Sequence, residues 1–194
     1  AMSNTEKYSF FINNCCLSSR YNVSECFGEK LLRADNKGAI GVIGGSNYTY
    51  WDEDFYWAVG AKSRSLNPSY NSNKLGCYDR FFHTHGEEFG EQYISAGEIV
   101  IAGNLAVETS GSDLSEYYWE IYNLLGDPSL IPHVGVGEEF EVELPELLSL
   151  GESELSLENL PAYTYVGLSL DGELLGAAQA NSEGAVTINF ESIN

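Results

Sequence analysis

The fold is decided by the run Tyr8-Ser9-Phe10-Phe11-Ile12, which combines aromatic and β-branched residues and is followed directly by two asparagines. A short apolar run that ends in turn residues is typical of a buried strand. Residues 24–36 carry helical spacing, with Ser24 as a candidate N-cap and Gly38 as the left-handed residue beyond the end. A second apolar run bounded by glycines, residues 38–45, predicts another buried strand. Because strand, helix and strand follow at this spacing, the sequence predicts a βαβ unit and a parallel sheet.

Two further helices are predicted in the first two thirds of the chain. One lies at about residues 54–62, within a stretch rich in aromatic and polar residues. The other begins at Ser112 or Asp113 and runs to the Gly-Asp-Pro at residues 126–128, because its apolar residues recur at helical spacing. Together with the βαβ unit, these helices predict an α/β domain over residues 1–132.

The hydrophobic period changes to two beyond Val134. Apolar and polar residues alternate near residues 140–144, 155–157, 163–170 and 185–190. Short alternating strands separated by turns predict an antiparallel β-sandwich over residues 133–194. Because about 60 residues is short for a sandwich of roughly 100, we expect this domain to be incomplete.

The charge balance argues against several classes of partner. The chain has 9 Lys+Arg against 29 Asp+Glu, a formal net charge of −20. Such a surface repels phosphate backbones and anionic membranes, so we expect no nucleic-acid partner. No apolar run approaches the ~20 residues that span a bilayer, so we expect no membrane span. A calcium-binding loop of the EF-hand type is absent from the sequence, so a structural calcium ion has no support.

Cys15 and Cys16 directly follow the first predicted strand and lead through a loop into the predicted helix. Functional groups collect at the carboxyl ends of strands in a parallel sheet, where backbone N–H groups lower the pKa of a thiol and favour its nucleophilic thiolate. The residues alone favour a structural role for the pair over catalysis, either as buried small apolar residues or as a strained vicinal disulfide. The disulfide state of all four cysteines stays open, since they are too few and too irregular for a framework: Cys15, Cys16, Cys26 and Cys77.

A set of four ordered motifs resembles the gingipain-type cysteine peptidases. The first two lie around the cysteine pair and the first helix, the third is the glycine-bounded strand with the Tyr-Trp that follows it, and the fourth lies near the end of the α/β region. They occupy residues 12–15, 26–34, 38–44 with 50–51, and 122–130. In that family an immunoglobulin-like domain follows the last motif, as an alternating β region does here. The resemblance covers nearly the whole chain in consistent order.

The resemblance implies a caspase-like α/β peptidase domain, with its sheet and flanking helices, followed by an immunoglobulin-like β-sandwich. It makes Cys15 the nucleophile, counted back from the helix that begins at Cys26, with Cys16 as the fallback, and it places Trp51 over the P1 side chain of a polypeptide substrate. The implied mechanism is thiolate attack on a peptide carbonyl, an acyl-enzyme and hydrolysis, without a cofactor and with backbone N–H groups holding the oxyanion. A secreted or cell-surface location is implied as well.

The family's catalytic His lies on the strand before the nucleophile strand, and the fourteen residues ahead of Cys15 contain no His. The resemblance therefore predicts that residues 1–132 are the C-terminal half of the catalytic domain. By itself this chain would not hydrolyse peptides. The missing N-terminal half would act in cis or as a separate chain.

His83 and His85 form an alternative source of imidazole, since triads recur with other chain orders. Their polar surroundings favour a solvated loop or helix end instead. With Cys77 they also resemble a zinc-binding trio, but the spacing is not that of a standard site, so we predict no metal site. The competing function is non-catalytic: a surface or secretion-related module that keeps the peptidase fold and uses its cysteines structurally.

Overall fold

The computed structural model of the chain describes residues 2–88, 92–135, 139–145 and 147–192. The chain divides into two compact units, Ala1–Val134 and Gly135–Asn194. Each unit has hydrophobic core clusters of its own.

The first unit combines a three-stranded sheet with five helices in its described part. In chain order these are β1 Ser9–Asn13, α1 Phe27–Leu32, β2 Ala39–Gly45, α2 Trp51–Val59, α3 Cys77–Phe82, α4 Ala96–Ser110, α5 Ser115–Ile121 and β3 Tyr122–Gly126. The strand order is β1-β2-β3, with β1 parallel to β2 and β3 antiparallel to β2. The predicted βαβ unit is confirmed. The sheet as a whole is mixed rather than parallel, because β3 runs the other way.

The predicted helix that extends to Gly126 is wrong in its second half. Helix α5 ends at Ile121, and the residues after it form β3. Leu124 pairs with Ile43 and Leu125 with Val42, two residues that are fully buried in β2. The apolar spacing of a short segment fits helix and strand alike, so pairing with β2 decides the conformation.

Helix α1 is shorter than predicted and begins after Cys26 instead of Ser24. The carboxylate of Glu29 accepts the backbone N–H of Cys26 at 2.8 Å, which satisfies a free donor at the helix start. The helix ends at Leu32, four residues before the predicted end at Asn36. Gly38 has a φ of +91°, as predicted for a left-handed residue, and a Cβ there would lie 2.0 Å from the carbonyl oxygen of Leu31.

The longest helix, α4, is absent from the sequence prediction. Its N-cap Ser95 accepts the backbone N–H of Glu98 at 3.3 Å, and the Glu98 carboxylate accepts the N–H of Ser95 at 2.9 Å. This capping box is a readable signal that the prediction overlooked. Helix α4 packs in the main core, where Gly103 lies against the ring of the fully buried Trp57.

The second unit contains four strands in its described residues. They are β4 Glu154–Leu157, β5 Tyr165–Leu170, β6 Glu173–Gln179 and β7 Val186–Asn189. Strands β4 and β7 pair antiparallel, and β5 and β6 form a hairpin whose turn is Asp171-Gly172. Buried and exposed residues alternate along β4 and β7, which confirms the period of two. These two pairs of strands alone do not establish an immunoglobulin-like sandwich, which stays a prediction.

The strand predicted at residues 140–144 is wrong, since residues 139–145 have no regular structure. Phe140 and Leu144 are exposed there, and their backbone pairs with no strand in the described part of the chain. Strand β6 was missed, although its run Leu174-Leu175 follows a clear turn. None of the described helices combines the length and hydropathy that a bilayer crossing requires.

Candidate active site

The pair Cys15 and Cys16 lies at the carboxyl end of β1, and both side chains are exposed. All four cysteines of the chain are free thiols, so Cys15 and Cys16 are not joined as a disulfide. Because both are exposed, the pair is not buried either. The loop after the pair is held on β2, because the N–H of Leu17 donates to Asn47 O and the N–H of Ser19 to Gly45 O, each at 3.1 Å. The position at the strand end that the sequence predicts is therefore the observed one.

Backbone strain marks the residue that follows the pair. Leu17 has a φ of +59°, in the left-handed region that a bulky side chain rarely enters. Such a conformation costs about 1–3 kcal/mol and persists only where surrounding contacts enforce it, often near functional sites. Here the hydrogen bond to Asn47 O and the approach of Cys15 O to Gly45 enforce it, since a Cβ on Gly45 would lie 3.0 Å from that oxygen.

Thr49, in the loop after β2, contacts the thiol of Cys16 through two polar groups. Its backbone N–H donates to Cys16 Sγ at 3.3 Å, and its Oγ1 lies 3.4 Å from the same sulfur. These side-chain and backbone hydrogen bonds hold the pKa of Cys16 below the usual value for a thiol. The hydroxyl of Thr49 also donates to Asp54 Oδ2 at 2.7 Å, and its single proton can rotate toward the sulfur when Cys16 becomes a thiolate.

Asp54 connects three segments beneath the cysteine pair. Its Oδ1 accepts the hydroxyls of Tyr118 at 2.9 Å and Tyr122 at 2.8 Å, while its Oδ2 accepts the hydroxyl of Thr49. Its backbone oxygen accepts the side-chain amide of Asn14 at 2.8 Å. Burial raises the pKa of both tyrosines, so their hydroxyls stay protonated and serve as donors. Asp54 therefore links α2 to α5 and β3 through its carboxylate and to the residue before Cys15 through its backbone oxygen.

The charged groups at the start of α2 are already engaged with partners. Asp52 pairs with Arg64 at 2.6 Å, and Glu53 accepts the hydroxyl of Ser112 at 2.6 Å. Carboxylates in the first turn also stabilise a helix through its dipole. Trp51, the first residue of α2, keeps 85% of its side chain exposed. It is available for contact with a ligand.

The histidines lie apart from the thiols. His83 is the left-handed residue that ends α3, and His85 stacks on Tyr70 with ring centroids 3.7 Å apart. His133 lines a groove with Tyr8, which precedes β1 at the end opposite Cys15. In the described residues no hydrogen bond joins an imidazole to Cys15 or Cys16. His83 and His85 thus occupy the helix end and loop that their polar surroundings predict.

The residues of the zinc-like trio do not form a metal site. Cys77 is fully buried at the start of α3, and burial raises the pKa of its thiol well above the usual value. A protonated thiol is a poor metal ligand. Among the described residues no group of three or more His, Cys, Asp or Glu side chains is placed to hold a metal ion.

Sequence reasoning located the thiols and Trp51 but missed the polar network around them. Thr49 and Tyr118 belong to none of the four motifs, and Tyr122 begins the fourth motif without any sign that it contacts the cysteine pair, which is more than 100 residues earlier. Asp54 directly follows Asp52 and Glu53, so nothing in the sequence distinguishes it. Only the pairing of β3 with β2 and the packing of α5 bring these groups together.

Comparison with known proteins decides the family. The chain matches the model of Peptidase family C25 over residues 1–133. The chain belongs to peptidase family C25. Lys-gingipain of Porphyromonas gingivalis is 34% identical to this chain over an alignment of 198 positions, which covers 98% of this chain and 11% of the relative. The resemblance predicted from the four motifs is thereby confirmed.

Two solved structures extend the comparison to the fold of this C25 member. A structure described as a protease has a TM-score of 0.79 at 34% identity and covers 98% of this chain, which corresponds to 43% of its own length. The crystal structure of the Arg-specific cysteine proteinase gingipain R has a TM-score of 0.69 at 21% identity, with 98% and 41% covered. The second likeness shows the fold alone. This chain thus spans less than half the length of these two structures and about a tenth of the length of Lys-gingipain.

Proposed function

We propose that this chain is the nucleophile-bearing part of a gingipain-like cysteine endopeptidase, with Cys15 as the nucleophile. The observation that carries the proposal is the exposed thiol of Cys15 at the carboxyl end of β1 in a C25 member. In that position a peptide carbonyl can reach the sulfur, while the polar network on Asp54 holds the adjacent Asn14 in place. Substrates of this class are polypeptides, and the chemistry requires no cofactor.

The proposed reaction proceeds in two halves. The Cys15 thiolate attacks the carbonyl carbon, the oxyanion collapses with departure of the protonated amine, and water then hydrolyses the thioester. Backbone N–H groups stabilise the oxyanion, but the N–H of Cys15 donates to Asn13 O at 2.8 Å. That donor is therefore occupied in this conformation. The oxyanion donors must come from other amides that face the attacked carbonyl.

A further segment must supply the imidazole that accepts and returns the proton. We assign it to the N-terminal half of the catalytic domain, acting in cis or as a separate chain. Two features of the first unit support such a partner: β1 lies at the edge of the sheet, and a groove of about 690 Å³ runs beside it. Apolar side chains, including Phe10, Ile12 and Ile40, line this groove. An edge strand beside an apolar groove suits the addition of another strand.

The remaining parts of the proposal follow from family membership. Trp51 would contact the P1 side chain, and its exposed ring suits that role. The second unit would be the immunoglobulin-like domain, incomplete in this chain. The whole protein would be secreted or located on the cell surface.

The test is labelling by a peptidyl electrophile in the presence of the N-terminal half, followed by mass spectrometry of the modified peptide. Cys15→Ala should abolish both labelling and hydrolysis, while Cys16→Ala, its neighbour and matched control, should retain both. The reverse result would assign the nucleophile to Cys16, whose thiol lies against Thr49. Labelling of neither residue would contradict the peptidase proposal and favour a non-catalytic module with the peptidase fold.

A further inference from the structure

A second concave site lies beside the cysteine pair, at the carboxyl ends of β1 and β2. It has a volume of about 380 Å³ and is walled by the loops after both strands and by one face of α5. Leu17, the strained residue directly after Cys16, forms part of its wall, and so does Tyr117. The nearby thiol of Cys16 contributes to the raised pKa of Tyr117, after burial and the proximity of Tyr50. The pocket therefore adjoins the proposed site of peptide cleavage.

Arg20 is the cation of this pocket. Its Nε donates to Asn22 Oδ1 at 3.0 Å. The two outer guanidinium nitrogens take no part in this hydrogen bond. Within the described residues Arg20 belongs to no ion pair, whereas Arg64 pairs with Asp52 beside Trp51. Arg20 is one of 9 basic residues in a chain of net charge −20, and its planar guanidinium matches the geometry of a carboxylate.

The other polar groups of the pocket favour an acceptor as ligand. The carbonyl oxygen of Tyr48 is occupied by the hydroxyl of Tyr117 at 2.8 Å, and Asn47 Oδ1 by the N–H of Tyr48 at 2.9 Å. Among the lining side chains, the outer guanidinium nitrogens of Arg20 and the amide nitrogen of Asn22 are donors with hydrogen-bonding capacity left. Glu120 is the opposing charge on the wall, and both Arg20 and Glu120 are exposed.

We propose that this pocket is a substrate subsite that binds the carboxylate of an Asp or Glu side chain close to the scissile bond, with Arg20 as its principal ligand. The inference rests on the proposed peptidase function and adds to it a preference for acidic residues near the cleaved bond. Planar guanidinium and carboxylate groups match in geometry, so Arg20 can bind such a side chain through paired N–H···O hydrogen bonds.

Peptide binding to the 194-residue chain tests the proposal without requiring catalysis. The protein carries Cys15→Ala and Cys16→Ala, and the probes are fluorescent peptide pairs that differ only by Asp or Asn at one position within three residues of the central bond. Fluorescence anisotropy should give about 2- to 5-fold tighter binding of the Asp peptide at one or more positions, the range of an exposed ion pair. That preference should decrease as salt increases.

Three variants test whether Arg20 causes the preference for Asp peptides. Arg20→Gln should abolish the difference between Asp and Asn peptides, and Glu120→Gln should enlarge it. Lys30→Gln, which removes one exposed positive charge from α1, should leave the difference unchanged. Equal binding of the peptide pairs at every position, or an equal loss in Arg20→Gln and Lys30→Gln, overturns the subsite. The two proposals can also fail separately. If Cys15 is never labelled but the preference for Asp peptides still depends on Arg20, the peptidase function is contradicted and the acidic-peptide site is retained.

Discussion

The hydroxyl of Tyr122, the first residue of β3, donates to Asp54 Oδ1 of α2 at 2.8 Å. The two residues are 68 positions apart in sequence, and Tyr122 is almost fully buried. The same hydroxyl also contacts the side-chain oxygen of Asn14, which precedes the proposed nucleophile. One tyrosine therefore connects the end of the sheet, the second helix and the loop that carries both thiols.

Tyr122→Phe should lower the free energy of unfolding by about 1–3 kcal/mol, because the half-buried carboxylate of Asp54 and the side-chain oxygen of Asn14 lose a partner. Urea denaturation measures this change. Tyr21→Phe, which removes the hydroxyl of an exposed tyrosine, should change it by less than about 0.5 kcal/mol. Equal stability of Tyr122→Phe and the parent chain would show that the hydroxyl contributes nothing to the network.

Thr49→Val should raise the pKa of Cys16 toward its usual value. The hydrogen bonds of Thr49 favour the thiolate, so losing the hydroxyl decreases the thiolate fraction at neutral pH and slows alkylation there. The rate of iodoacetamide reaction against pH, measured in the Cys15→Ala background, should shift to higher pH. Thr49→Ser keeps the hydroxyl and should preserve the original profile. A profile identical for Val and Ser would mean that the backbone N–H alone sets the pKa.

Much of the local structure could be predicted, because its causes are local. The βαβ unit follows from two apolar runs and a helix between them, and the position of Cys15 follows from the end of the first run. Strand β3 could not be separated from α5, since no turn residue divides Ile121 from Tyr122. Its conformation depends on pairing with β2, which is more than 70 residues earlier in the chain.

The polar network of the candidate site could not be predicted for the same reason. Asp54 is one of three acids in the first turn of a helix, and the sequence gives no reason to distinguish it from Asp52 or Glu53. Its role arises because helical geometry directs its carboxylate toward Tyr118, while Asp52 pairs with Arg64. Contacts between distant elements determine such roles, and periodicity does not contain them.

Gly103→Ala should destabilise the first unit by about 1–3 kcal/mol or more, because overpacked cores force shifts in their neighbours. A Cβ at this position would lie 2.1 Å from Cε2 of Trp57, whose indole N–H also donates to the buried Asn104 at 3.0 Å. Thermal or urea unfolding followed by tryptophan fluorescence measures the loss. Gly97→Ala lies in the same helix, and its Cβ would approach Pro128 no closer than 3.1 Å, so its effect should be smaller. A loss for Gly97→Ala equal to that for Gly103→Ala would contradict this packing argument.

Trp51→Ala separates a role in substrate binding from a role in folding. With 85% of its surface exposed, Trp51 contributes little to the core, so the free energy of unfolding should change by less than about 0.5 kcal/mol. If the ring contacts the P1 side chain, kcat/KM for peptide hydrolysis by the complete catalytic domain should fall about 10-fold or more, the effect of losing a large aromatic contact. Leu66→Ala, a wholly exposed residue outside the site, should change neither quantity. An unchanged kcat/KM in Trp51→Ala would remove this residue from the substrate site, and a large loss of stability would assign it a structural role instead.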